Sequence, residues 1–210
     1  MDPGTFSIVA RCPRTGQLGV AVASKYLAVG SAVPFVQAGV GGVATQARVS
    51  SAYGPQALAL MELGIPPHDV LKQFAANDAD WEFRQIHMSD ARARSACHTG
   101  QRCVDWAGHL IGLNCTVAGN ILTGPDVLEA MLEAFDKDPE EPLARRLTAA
   151  LLAGDDAGGD KRGKQSAAIL VADHEPYAIV NLRVDDHPDA PAELQRLFGL
   201  FEKAFLDRIR

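Results

Sequence analysis

The chain has 210 residues, 47% of them apolar and 22% charged, which supplies one sizeable buried core and excludes a disordered or fibrous composition. A formal net charge of −6 without a compensating basic stripe argues against a nucleic-acid partner: "ARAR" at 91–94 and "DKRGK" at 160–164 are short, interrupted, and suit solvated turns or a small-anion contact. The longest apolar runs, "LGVAVAS" and "AAILVA", are strand-sized, and four scattered cysteines read as reduced thiols, so the expected setting is cytoplasmic, with no membrane partner and no charged-then-apolar targeting segment.

In chain order, "TFSIVAR" alternates, "PRTG" is a turn and "QLGVAVAS" alternates again, which predicts a hairpin. "AVPFVQAGVGGVATQA" gives two further apolar pieces joined by Gly39, Gly41 and Gly42, a glycine density that points to bulges or close backbone approach. The period then changes. "YGPQALALMELG" and "PPHDVLKQFAAND" read as helices, with prolines where a first turn tolerates them. Strands return in "FRQIHMSD", "RSACHTG" and "NCTVAGN". Two helices follow in "GPDVLEAMLEAFDKD" and "PLARRLTAALLAG", then a glycine-rich loop, "GDDAGGDKRGKQ". "SAAILVAD" and "YAIVNLRVDD" form a last hairpin, and "PAELQRLFGLFEKAFLDRI" a closing amphipathic helix. Met61, Met131, Phe135, Phe198 and Phe201 fall on helix stripes and are assigned to the core or an interface.

Strands joined by short turns imply antiparallel pairing. The order strands, two helices, strands, two helices, strands, helix fits an α+β fold: a four-layer αββα sandwich of two antiparallel sheets between helix layers. Residues 1–4 are expected to be a short leader that is cut away or added residues ahead of the true start, and 5–210 a single domain. Gly4–Thr5 stands directly ahead of the first strand. If that bond is cut, one residue carries both a hydroxyl nucleophile and a free amine as its base. The alternative is a β-branched residue that simply opens a strand.

The motifs "TFSIVAR", "GQLGVAVAS", "GVGGVATQA", "YGPQAL", "HTGQRCVDWAGH", "GNILTGPDVLEAM", "GGDKRGKQSAAILV" and "LRVDDHPDAPAEL" resemble domain-of-unknown-function family 1028, which is placed in the N-terminal-nucleophile hydrolase clan. The resemblance runs from Thr5 to about Leu197. It implies that Thr5 is the nucleophile, its own α-amine (ordinary pKa about 8) relaying the proton. By the same resemblance Asn120 is an oxyanion or amine partner, or else an Asn in a turn. Asp160 holds the Thr5 ammonium and Arg162 clamps a substrate carboxylate, or the two belong to a solvated loop, which enters a strand expected beside the first. Gln46 orients substrate, with neighbouring glycine backbone turned to an oxyanion. Lys25 lowers the pKa of the amine, or is an exposed strand end. The Asp and the Lys of the proteasome relay have no counterparts in "VAVASK" and "PFVQAGVGG".

The implied activity is hydrolysis of a C–N bond in a small amide or ureido compound, carboxylate-bearing by the hint of Arg162. No external cofactor is needed, and the apolar run "LFGLFEKAF" suggests a homo-oligomer, with a dimer as the first guess. A non-catalytic binding or scaffold protein on the same fold is the second reading. Cys97, Cys103, His109 and Cys115 lack the paired short spacing of structural zinc. His98 and Cys103 are a nucleophilic pair or pocket walls. Asp185, Asp186 and His187 alternate across a strand and suit a turn or a dimer contact.

Overall fold

A computed structural model describes residues 4–206; of the expected leader, residues 1–3 lie outside the described residues. Among the described residues there are ten strands and five α-helices in a mixed α+β fold with two antiparallel sheets. The strands are β1 (Thr5–Arg11), β2 (Leu18–Ser24), β3 (Pro34–Gln37), β4 (Gly41–Ala47), β5 (Arg84–Asp90), β6 (Ser95–Thr99), β7 (Gly108–Ile111), β8 (Cys115–Asn120), β9 (Ser166–Ala172) and β10 (Ala178–Val184). The helices are α1 (Tyr53–Glu62), α2 (Pro67–Asn77), α3 (Asp126–Asp136), α4 (Leu143–Asp156) and α5 (Ala190–Phe201), the last running on into a π-helical turn at Glu202–Leu206.

The first hairpin forms as its alternation predicts. Thr5 pairs with Ser24 and Arg11 with Leu18 across it, and the turn closes through Cys12 N–H to the Gln17 carbonyl at 2.8 Å. Strand order in the larger sheet is β10-β9-β2-β1-β8-β7 and in the smaller β3-β4-β5-β6. The strand that follows the glycine-rich loop, β9, therefore lies beside the second strand rather than the first. β1 is instead flanked by β2 and β8, because pairing with Cys115–Asn120 occupies its other edge.

Three apolar clusters hold these elements together. Phe6, Ile8 and Ala10 on β1 pack with Met131, Phe135, Leu147 and Leu194, from α3, α4 and α5. Val43, Ile86 and Met88 pack with Leu58, Met61, Val70 and Phe74, from α1 and α2. Val9, Val20, Val22, Ala44 and Ala168, from both sheets, form the third cluster. A fully buried Leu, Ile or Phe contributes about 1.5–3 kcal/mol, and Met131 and Phe135 are fully buried, as their helix stripe required. The glycine density before β4 has a steric cause: a Cβ on Gly42 would sit 2.9 Å from Val9 Cγ1 and 3.2 Å from Val20 Cγ2. Glycine here lets one sheet approach the other.

Alternation sorts side chains into two sets. Phe6, Ile8, Ala23, Val117 and Ile169 face the helix cluster. Thr5, Ser7 and Val9 on β1, with Val22 and Ser24 on β2 and Thr116 and Asn120 on β8, share the opposite face, towards the smaller sheet. Near the Thr5 end of that face the apolar residues give way to polar ones.

Candidate functional site

Thr5 begins β1 and is fully buried, with Ser24 and Asn120 as its two cross-strand partners. Its Oγ donates to Ser24 Oγ at 3.2 Å. Ser24 Oγ in turn donates to the carbonyl of Gly4, which also accepts from Arg162 Nη2 at 3.2 Å. The peptide bond immediately before Thr5 thus presents its carbonyl to two donors, one of them cationic, beside the Thr5 hydroxyl.

Asp160 anchors this arrangement. Its side chain is only 1% exposed, and it accepts four bonds: from Arg162 N (2.9 Å), Nε (3.0 Å) and Nη2 (2.6 Å), and from Lys25 N (3.1 Å). The loop reaches this position through a bridge between Leu122 and Asp160 and a turn at Gly158 (φ +116°), where a Cβ would meet Thr123 Oγ at 2.4 Å. Gly4 itself is sterically required. A Cβ there would lie 2.6 Å from Asp160 Oδ2 and 2.8 Å from Arg162 Nη2, closer than side chains approach. Any residue but glycine ahead of Thr5 displaces the carboxylate–guanidinium pair.

Beneath Thr5 lies a buried polar network between the sheets. Gln46 Nε2 donates to Gln85 Oε1 at 2.8 Å and to the Thr5 carbonyl at 3.5 Å. Asn120 Nδ2 donates to the same Gln85 oxygen at 3.0 Å, and Asn120 Oδ1 is buried without a partner. Gln85 Nε2 reaches the carbonyls of Gly108 (3.0 Å) and Gly119 (2.8 Å). Ser7 Oγ contacts Gln46 Oε1 (2.5 Å) and His87 Nε2 (2.7 Å), and His87 Nδ1 contacts Thr116 Oγ (2.8 Å). Burial pushes the His87 pKa down to about 3, with His109 adding like-charge repulsion. Left-handed residues follow directly after two of these amides: Ala47 (φ 63°), the last residue of β4, and Ile121 (φ 55°), the first residue beyond β8. Such conformations are costly for residues other than glycine, most of all for a β-branched one, and collect where surrounding structure over-determines a site.

The fold therefore brings Thr5, Gln46, Asn120, Asp160 and Arg162 to one end of the inter-sheet layer. Lys25 contributes its backbone N–H to Asp160, while its Nζ turns to the Lys164 carbonyl at 3.1 Å. His98 faces the other way, stacked on Trp81 with ring centroids 4.0 Å apart. Cys103 Sγ donates to the Arg84 carbonyl at 3.3 Å, on the loop beside Gln85. The spaced thiols separate by alternation: burial lifts Cys97 and Cys115 each to about 12, but Cys115 belongs to the helix-side cluster and Cys97 to the face of its cross-strand partner His87. Asp185 pairs with Arg183, Asp186 with Gln165, and His187 Nδ1 accepts from Asp189 N. Among the described residues no group of three or more His, Cys, Asp or Glu side chains is placed to hold a metal ion, and no helix is long and apolar enough to cross a membrane.

Sequence reasoning gave no role at this site to Ser24, Ser7, Gln85, His87 or Thr116. Their signal was present: Ser7 and Ser24 stand at inward-facing positions of otherwise apolar strands, where a polar residue needs a partner.

A family model described as "Family of unknown function (DUF1028)" matches residues 5–194. A crystal structure of a protein from Silicibacter pomeroyi, described under the same family model, superposes with a TM-score of 0.88 at 34% identity, covering 95% of this chain and 86% of that one. The Anbu (ancestral beta-subunit) protein of Yersinia bercovieri aligns over 97% of both chains at 10% identity and a TM-score of 0.42, a likeness too low to carry a fold assignment. No curated protein matches.

Proposed function

The chain belongs to the DUF1028 family, and from that premise and the geometry at Thr5 we propose that it is an N-terminal-nucleophile amidohydrolase of four-layer αββα form, with Thr5 as nucleophile. The observation that carries this reading is the Gly4 carbonyl, held by Ser24 Oγ and Arg162 Nη2 beside the Thr5 hydroxyl.

Activation comes first. Thr5 Oγ attacks the Gly4 carbonyl carbon; its proton passes to Ser24 Oγ, whose own proton points at the Gly4 oxygen. Arg162 stabilises the negative charge that develops there. The C–N bond breaks, the nitrogen takes the proton that Ser24 relayed from Thr5 Oγ, and Gly4 is left as an ester on Thr5. Water hydrolyses the ester, releasing a carboxylate and leaving Thr5 with a free α-amine. In turnover a substrate amide carbonyl takes the place of the Gly4 carbonyl. The Thr5 amine, ordinarily near pKa 8, accepts the hydroxyl proton and returns it to the departing nitrogen. Water then deacylates Thr5. No external cofactor enters this cycle. Asp160 holds Arg162 in place through three hydrogen bonds.

The space that Gly4 vacates beside a guanidinium favours a small amide or ureido substrate, with a carboxylate as its anionic handle. The enzyme is read as a cytoplasmic single domain from Thr5 onward, and as a homo-oligomer through exposed apolar positions such as Leu200 and Phe205. The second reading, a non-catalytic binding protein that keeps Gly4, draws on the full burial of Thr5 and the satisfied Gly4 carbonyl. The two separate in a screen of small amides and ureides for release of amine or ammonia by wild type and Thr5→Ala. Thr5-dependent release supports the hydrolase; the absence of any such release removes it.

A further inference from the structure

With a neutral His87 ring, the hydrogen-bond network below Thr5 has one consistent orientation of its amides, and that orientation gives a role to a histidine that touches neither Thr5 nor the Gly4 peptide. Backbone carbonyls can only accept. The Gln85 amide atom that faces the Gly108 and Gly119 carbonyls at 3.0 and 2.8 Å must therefore be its nitrogen. Gln85 Oε1 is then an acceptor, so both amides that point at it, Asn120 at 3.0 Å and Gln46 at 2.8 Å, present their nitrogens. Gln46 Oε1 consequently faces Ser7 Oγ at 2.5 Å and must receive the Ser7 proton. With its proton used, Ser7 accepts from His87 Nε2 at 2.7 Å, which fixes that nitrogen as the protonated one. Burial keeps the ring neutral, so Nδ1 is the bare nitrogen and accepts from Thr116 Oγ at 2.8 Å.

The opposite tautomer would turn the Ser7 proton back to His87 and set two bare oxygens 2.5 Å apart at Gln46. Relieving that repulsion means flipping Gln46, which puts its oxygen against Gln85 Oε1 and the Thr5 carbonyl. The chain of amides is thus coupled end to end. Its free end is Asn120 Oδ1: fully buried, without a partner among the described residues, on the residue directly across from Thr5. One N–H of the Asn120 amide is committed to Gln85, and the atom left bare on this side chain is its oxygen, an acceptor.

We propose that His87 is a positioning residue which, through Ser7, Gln46 and Gln85, holds the Asn120 amide with its oxygen bare, as acceptor for an N–H of the α-amine that Thr5 gains when Gly4 leaves. The inference rests on the reading of Thr5 given above. It divides the labour at the site: Ser24 and Arg162 serve the oxyanion, Asn120 serves the amine. The residues paired with Thr5 are Ser24 on β2 and Asn120 on β8, with Gln46 on β4 at its carbonyl. The charged groups are Asp160 and Arg162, packed against Gly4, while Lys25 Nζ is turned away to Lys164. Burial, which keeps His87 neutral, favours the same arrangement.

The test has two arms on the full chain. In isotope-labelled protein, the ring nitrogens of His87 are expected to report a neutral Nε2–H tautomer at pH 5; an Nδ1–H tautomer or a charged ring overturns the positioning role, whatever Thr5 does. In the species that begins at Thr5, the amine pKa is read from the pH dependence of its labelling by an amine-reactive reagent. Asn120→Asp sets a carboxylate beside the amine and is expected to raise that pKa by about 1–3 units; an unchanged value overturns the acceptor role. His87→Gln, which keeps one donor and one acceptor, is expected to retain Thr5-dependent turnover, whereas His87→Phe and the smaller change Ser7→Ala lose about tenfold. Equal losses in His87→Gln and His87→Phe point to packing alone and overturn the proposal. A chain that never exposes Thr5 overturns the acceptor role together with the catalytic reading, an outcome distinct from a wrong His87 tautomer.

Discussion

Replacing Gly4 by alanine probes the geometry ahead of Thr5 with a single methyl group. The added Cβ starts 2.6 Å from Asp160 Oδ2 and 2.8 Å from Arg162 Nη2, so ordinary contact requires the pair to retreat by about 0.8 Å. Arg162 Nη2 stands 3.2 Å from the Gly4 carbonyl, and that retreat carries it beyond hydrogen-bond reach. A lost bond from a charged donor costs about 1.5–3 kcal/mol, and each 1.4 kcal/mol on a barrier is tenfold in rate. Release of a Thr5-started chain is therefore expected to slow by roughly 10- to 100-fold in Gly4→Ala. Intact-mass spectrometry over a time course measures it directly, with circular dichroism to confirm that the fold persists. A Gly4→Ala chain that releases Thr5 at the wild-type rate refutes the role given to Arg162 and the Gly4 carbonyl.

Three further outcomes follow from the same contacts. His87 titrates near 3 in the fold against an ordinary 6.5, so between those values the unfolded chain binds the extra proton and stability falls as the pH is lowered, by up to about 1.4 kcal/mol per pH unit. Urea denaturation of wild type and His87→Gln at pH 6 and pH 4.5 should show that part of the slope vanish in the variant. Asp78 is held at about 2 chiefly by its hydrogen bond from Arg84, at 2.8 Å. Its contribution is present above the unfolded value near 3.9 and is lost as pH falls towards 2, so Asp78→Asn should flatten the acid limb of the thermal stability curve there. Asp160→Asn removes a buried carboxylate that takes three bonds from Arg162. Because Arg162 is 31% exposed, the expected loss is about 2–3 kcal/mol, below that of a fully buried pair, and chemical denaturation measures it.

The elements of the fold were legible wherever a period was long enough to read. "TFSIVAR" and "LGVAVAS" alternate without a break and became β1 and β2, and the stripe of Val127, Leu128, Met131 and Phe135 marks α3 directly. β7 was not legible: its four residues, Gly108–Ile111, are too few to show a period and open on a glycine. Nor was strand order, since β8 reaches β1 across more than a hundred residues and no local signal encodes that pairing. At the site, glycine ahead of Thr5 was visible in the sequence, but its reason was not. The Asp160–Arg162 pair that excludes a Cβ there comes from a loop over 150 residues away. The polar network was hidden in the same way. Ser7, Gln46, Gln85, His87 and Thr116 sit on four strands of two sheets, and nothing local to any of them names its partners.

The most direct test of Thr5 as the nucleophile is the intact mass of freshly purified full chain, repeated after incubation at neutral pH, beside Thr5→Ala. The expected result is a wild-type species that begins at Thr5 and a Thr5→Ala chain that keeps Gly4. A wild-type mass that retains Gly4 throughout contradicts it, because the α-amine that the catalytic cycle requires never forms.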